Sequence, residues 1–253
     1  MSTDFTIRQT AGRFDFRSEP GLGAGNRLDS RTYRWLGGAF LLQAIASAVS
    51  GLLLAPIDLL ASAPPDDMAG AMADLATNEW QTRASIVGEM VTAVGIVALG
   101  VLLFSVVRHR GHILARIAVA LYLVEVAMLA VRETVVYGLW WTSHDAVRTG
   151  TVETMVDQAN LLYQSQSFAY SLHMLLYAVG ATIFYVLLAQ TRVLPWPLIG
   201  LGLIAAPLAV AGTVVEMMGT AVPLWVFLPG LPFELGAGLW LALGLSKART
   251  EHI

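Results

Sequence analysis

Apolar side chains fill six stretches of this chain, at residues 33–57, 86–107, 113–141, 168–189, 198–218 and 226–245, with polar residues gathered between them. About 20 apolar residues in a helix cross the ~30 Å hydrocarbon core of a bilayer. A helix is the natural solution there because it satisfies its own backbone groups without water. The pattern predicts an all-α fold: an integral membrane bundle of six transmembrane helices. The sixth is the least regular, because Pro223, Pro229 and Pro232 crowd its entrance. Irregular backbone at that depth survives only where it is buried in protein or lines a wet cavity.

The polar segments set boundaries and orientation. Residues 1–32 form a polar tail with Arg8, Arg13, Arg17, Arg27 and Arg31, residues 33–246 the membrane domain, and residues 247–253 a second tail. Arg108, Arg110, Arg192, Lys247 and Arg249 lie on the same side as the N-terminal tail. The opposite loops carry Asp58, Asp66, Asp67, Asp74, Glu79, Asp145, Glu153 and Asp157 against Arg83 and Arg148. Basic residues stay cytoplasmic, so both termini are expected in the cytoplasm. Trp80, Trp140, Trp141 and Trp225 then fall at the outer interface, and Trp35 and Trp196 at the inner one, as an aromatic belt. Ala61-Ser62-Ala63 imitates a signal-peptidase site, but the apolar run before it is too long for a signal peptide. Pro64 would also be the first mature residue, so an uncleaved anchor is expected.

Two outer loops are amphipathic. Met68, Met72 and Leu75 recur at helical spacing, as do Val152, Met155, Val156, Ala159, Leu162 and Tyr163. Helices lying on the membrane, extensions of a spanning helix, or a lid over a cavity would all give this pattern.

Composition narrows the function classes. Only 13% of residues are charged and 56% are hydrophobic, where a soluble domain carries about 25% charge. A net charge of −3 offers no basic stripe for nucleic acid. With no cysteine, disulfides, thiolate metal sites and cysteine nucleophiles are excluded. Gly21-Leu22-Gly23-Ala24-Gly25 has no strand before it and fails as a nucleotide loop. No motif calls for a cofactor or a metal; His109 and His112 sit in a short basic loop without carboxylates.

The chemistry lies in ionisable residues within the apolar spans: Glu89, Arg116, Glu125, Arg132, Glu133, His173, Glu216 and Glu234. A charge at mid-bilayer costs at least about 2.5–3.5 kcal/mol, so such residues face protein or water and find partners. Arg116 is one turn into its helix and can snorkel to the surface. Glu125 is near the middle and cannot. At 1.5 Å per residue, Glu89, Arg132, Glu133, His173, Glu216 and Glu234 fall in the outer half, which implies a polar cavity opening outward. Tyr122, Glu125, Met128 and Arg132 share one helix face, so Arg132 is expected to form a hydrogen-bonded ion pair with Glu125, Glu89, Glu216 or Glu234. Carboxyls outnumber cations, so either some carry protons or a cation completes the site. Glu125 and Glu234 are expected to face one pocket lined by Tyr122 and Phe233. A purely structural clamp accounts for the same residues.

Small residues, among them Ser47, Gly51, Gly95, Gly100, Gly200, Gly202, Gly236 and Gly238, suit close helix packing in lipid. No internal repeat is evident. Arg116 with Glu125 nine residues later, and the segment Leu228-Pro229-Gly230-Leu231-Pro232-Phe233-Glu234-Leu235-Gly236-Ala237-Gly238-Leu239-Trp240-Leu241, resemble a bacterial six-helix membrane family known as domain of unknown function 4386. The resemblance covers about residues 34–246 and implies a compact bundle in a bacterial plasma membrane. It implies no activity.

Three function classes follow. The first is a membrane module with an outward-facing polar pocket, which binds a lipidic small molecule or associates with a membrane-protein partner. The second is a membrane-embedded acid–base enzyme, a cyclase or isomerase acting on a lipidic or terpenoid substrate through paired carboxyls. The third is a proton or cation carrier, for which repeats and broken helices are the usual signs.

Overall fold

The computed structural model describes residues 30–54 and 65–245. The glycine run at 21–25, the Ala61-Ser62-Ala63 site and both tails beyond these limits lie outside the described residues. Every regular element among the described residues is helical: α1 (Ser30–Leu54), α2 (Met68–Thr77), α3 (Glu79–Val107), α4 (His112–Thr149), α5 (Val152–Ala189), α6 (Trp196–Met217), a 3-10 turn at Leu224–Val226, and α7 (Gly230–Ala242). Among the described residues six segments are long and apolar enough to cross a bilayer, namely α1, α3, α4, α5, α6 and the stretch Leu224–Ala242. The chain is an integral membrane protein.

Two helices are far longer than their apolar runs. α4 and α5 have 38 residues each, about 57 Å at 1.5 Å per residue, against a hydrocarbon core of ~30 Å. Hydropathy marks where lipid contact ends, not where the helix ends. α4 continues past Trp141 through Asp145 and Arg148, which pair at 2.7 Å on its surface. It stops at Gly150, whose φ of 73° suits glycine and whose N–H reaches back to the carbonyls of Ala146 and Val147. Of the readings offered for the second amphipathic segment, the extension of a spanning helix holds: residues 152–163 are the first turns of α5.

The first amphipathic segment becomes α2. Asp67 caps it by accepting a 2.9 Å hydrogen bond from the Gly70 N–H. Its apolar stripe of Met68, Met72 and Leu75 is buried against Leu54, Leu139, Ala146, Ala159 and Tyr163. Full burial of side chains such as Met72 and Leu75 stabilises by about 1.5–3 kcal/mol each. Thus α2 packs on the extended α4–α5 hairpin and builds a second, smaller core. Trp140 departs from the expected aromatic belt. It is 1% exposed and lies under the Arg83 guanidinium, 4.6 Å from its ring centre. Trp35, Trp80, Trp141, Trp196 and Trp225 are exposed.

Small residues position the crossings, as lipid packing requires. A Cβ on Gly37 would come within 2.4 Å of the Ala242 backbone nitrogen, so α1 and α7 touch through their backbones. Gly100 and Gly180 seat the ring of Tyr122. Gly202 does the same for Phe233, whereas Gly200 faces open space.

The sixth crossing holds only 13 α-helical residues, about 20 Å of helix. The chain from Met218 to Pro229 is otherwise irregular apart from the 3-10 turn. α7 packs against both α1 and α6, but among the described residues α1 and α6 do not meet. Residues of both α1 and α6 line a cavity beside the short α7.

Candidate functional site

Polar residues enter the bundle as stripes at three- and four-residue spacing, the period that keeps side chains on one helix face. α3 offers Ser85, Glu89 and Thr92, α4 offers Tyr122, Glu125 and Arg132, and α1 offers Gln43 and Ser50, all of them buried. On α5 the stripe is Gln166, Tyr170, His173 and Tyr177. The structure sorts the expected site residues into two groups.

The first is a clamp around Arg132. Its Nη1 donates a 2.6 Å hydrogen bond to Glu133 Oε1 and lies 4.0 Å from Glu89 Oε1. The guanidinium carbon sits 4.9 Å from the centre of the Tyr170 ring, a cation–π contact. Arg132 and Glu133 are 1% and 2% exposed. Arg132 thus hydrogen-bonds Glu133, which was not among the four carboxylates expected, while Glu89, which was, keeps a looser ionic contact. Arg132 is long enough to bend onto its chain neighbour, although adjacent residues on a helix do not face each other. Glu216, on α6, is partly exposed near the end of its helix. Arg116 is exposed, as snorkelling requires.

The second group surrounds a cavity of about 310 Å³, near the lower end of the ~300–1,000 Å³ typical of small-molecule sites. Glu125 and Glu234 both line it, with Gln43, Tyr170, His173, Tyr177 and Tyr185. Alanines of α1 and α6, Ala44, Ala48, Ala205, Ala206 and Ala209, form facing walls. Towards the irregular α6–α7 connection the lining turns apolar, with Leu224, Phe227 and Leu231. No residue of α2 reaches the cavity, so α2 is not its lid. Tyr122 and Phe233 pack behind the wall, Tyr122 stacked on Tyr177 at 5.5 Å and Phe233 against Tyr185 at 4.4 Å. Phe233 precedes Glu234 by one residue, which turns it about 100° away.

The two carboxyls differ in their surroundings. Glu234 accepts hydrogen bonds from the Tyr177 hydroxyl and from the Gln43 side-chain amide at 2.8 Å. Glu125 is 0% exposed, yet neither of its oxygens accepts a hydrogen bond. His173 Nδ1 is 3.4 Å from Glu125 Oε1 without hydrogen-bond geometry. Buried polar atoms are nearly always satisfied, which sets Glu125 apart from Glu234 on the same cavity wall. Tyr170 lines the cavity and also covers Arg132, which joins the two groups.

The profile of DUF4386, a domain of unknown function, matches residues 36–244. The chain belongs to this family. No curated protein and no solved structure matches it. Membership in DUF4386 agrees with the six crossings and brings no assigned chemistry.

Residue-by-residue reading of the charges missed Gln43, Tyr170, Tyr177 and Tyr185. For two of them, Tyr170 and Tyr177, a signal was available: Gln166, Tyr170, His173 and Tyr177 recur at i, i+4, i+7 and i+11 through an otherwise apolar helix. Gln43 carries no comparable mark.

Proposed function

We propose that this DUF4386 member is a binding module of a bacterial plasma membrane, which holds the polar end of an amphiphilic small molecule inside the bilayer. Both termini are cytoplasmic in this reading, and the cavity opens to the outer half through the gap beside α7. One observation carries it: Glu125, fully buried and without a hydrogen-bond donor, lines a cavity whose far end is apolar. A polar floor and an apolar mouth suit a molecule with one polar end and a hydrocarbon body. The test is co-purification. Protein extracted in mild detergent should carry an amphiphile detectable by mass spectrometry. Ala209→Phe, which fills the α6 wall, should lose it. Equal amounts of every co-extracted molecule in both proteins would defeat the proposal.

A second reading is acid–base catalysis on such a molecule. It is favoured by the unequal settings of Glu125 and Glu234 in one cavity, since paired carboxyls in different environments can take opposite roles. In that case Glu125→Gln should abolish turnover without changing the thermal melt, because the amide keeps the shape but not the transferable proton.

A further inference from the structure

The charge character of the cavity wall restricts what its polar end can hold. Its lining includes two carboxyl side chains, Glu125 and Glu234, one imidazole, His173, and no lysine or arginine. The guanidinium of Arg132 is bound to Glu133 and covered by Tyr170. An anionic head would stand against two carboxyls with no fixed cation beside it, in surroundings where charges are poorly screened. Three tyrosines, Tyr170, Tyr177 and Tyr185, complete the polar wall. Aromatic faces attract cations, most strongly where water is excluded. Once ionised, a carboxylate only accepts hydrogen bonds; neither oxygen of Glu125 has a donor in hydrogen-bond geometry, and only one of them faces the His173 imidazole, at 3.4 Å. A positively charged nitrogen answers each of these features at once: it donates to Glu125, balances Glu234, and lies against aromatic rings. A hydroxyl answers only the first.

Resting on the ligand-binding reading above, we infer that the cavity takes an organic ammonium, a lipophilic amine or quaternary ammonium whose nitrogen sits between Glu125, Glu234 and the tyrosines. Its hydrocarbon body leaves past Phe227, Leu231 and Leu224. The two last are exposed at 38% and 74%, so a chain longer than the cavity has an apolar exit.

The test uses the full-length protein in micelles of an uncharged maltoside detergent, which suppresses non-specific adsorption of cations and supplies no ammonium head of its own. Four probes share one tail and differ in the head: decylammonium, decyltrimethylammonium, decanol and decanoate. Binding is read by calorimetric titration at neutral pH. The expected result is that the two cations bind on the order of tenfold or more tighter than decanol, while decanoate is weakest. Glu125→Gln should remove most of the preference for the cations over decanol; Glu234→Gln serves the same purpose if the first variant fails to fold. Ala209→Phe should weaken every probe. Decanol or decanoate binding as tightly as the cations, with Ala209→Phe still weakening them, would overturn the ammonium assignment and leave the cavity reading standing. Cation binding untouched by Ala209→Phe would overturn both. A preference for cations that survives in both glutamine variants, or no binding of any probe, would overturn the ammonium assignment.

Discussion

Replacing Arg132 by methionine should be among the most damaging single changes in the protein. The side chain is 1% exposed, its hydrogen bond to Glu133 is 2.6 Å long, and Glu133 is itself 2% exposed. The second oxygen of Glu133 already lacks a donor, so loss of the guanidinium strips the carboxylate of its charge-assisted bond and leaves it buried. Removing one partner of a buried pair costs about 3–5 kcal/mol, most of it the uncompensated charge left behind. Loss of the cation–π contact with Tyr170 contributes up to about 2 kcal/mol within that total. An internal control of nearly equal geometry exists. Arg148 pairs with Asp145 at 2.7 Å, but those side chains are 69% and 47% exposed, and such a pair contributes about 1 kcal/mol or less. Reversible unfolding in mixed micelles should therefore separate Arg132→Met from Arg148→Met by at least about 2 kcal/mol. The double variant Arg132→Met with Glu133→Gln should recover much of the loss, because no charge is then stranded. If Arg132→Met and Arg148→Met cost the same, or if the double variant is no better than Arg132→Met alone, the clamp is not a buried charge pair.

Three further outcomes can be checked. Glu125→Gln should change the melting temperature little, because Glu125 accepts no hydrogen bond, whereas Tyr177→Phe should cost about 1 kcal/mol by removing a donor to Glu234; thermal melts in detergent compare the two. Gly37→Ala should destabilise by about 1–3 kcal/mol through forced separation of α1 from α7, while Gly200→Ala, facing open space, should be neutral or stabilise by up to about 1 kcal/mol. Reporter fusions after Arg110 and after Lys247 should both report cytoplasm and a fusion at Asp145 the outside, and a cytoplasmic signal at Asp145 would refute the arginine-based orientation.

What was legible in the sequence follows the cost of burying charge in lipid. The six crossings are visible because spans must be apolar for about 20 residues. Glu125, Arg132 and Glu234 stand out because they break that rule. The ends of α4 and α5 are not visible, since a helix needs no apolar surface once it leaves the bilayer; Gly150, not the last apolar residue, decides where α4 stops. Glu89 was foreseen as a partner of Arg132, but the hydrogen-bonded Glu133 was missed for a related reason. Helical phase places Cβ atoms, but an arginine reaches several ångströms beyond its own Cβ and can fold onto the neighbouring residue. The placement of Glu125 and Glu234 on one cavity was readable from depth and from the prolines ahead of Glu234. Its tyrosine lining was not, because a tyrosine in a span serves equally well as core filler, and only the stripe on α5 distinguishes the two.

The unbroken run of α5 also constrains how the gene can change. Its N-terminal turns pack under α2, and Tyr170, His173 and Tyr177 farther along the same helix face the cavity. A single-residue deletion between Tyr163 and Tyr170 would rotate everything beyond it by about 100° and draw it back about 1.5 Å. His173 and Tyr177 would then turn away from Glu125 and Glu234 while the outer core stayed in register. Among relatives, gaps should therefore collect at 65–67, 190–195 and 218–229, where the chain is irregular, and the spacing from Tyr163 to Tyr185 should stay fixed even where the residues themselves are replaced.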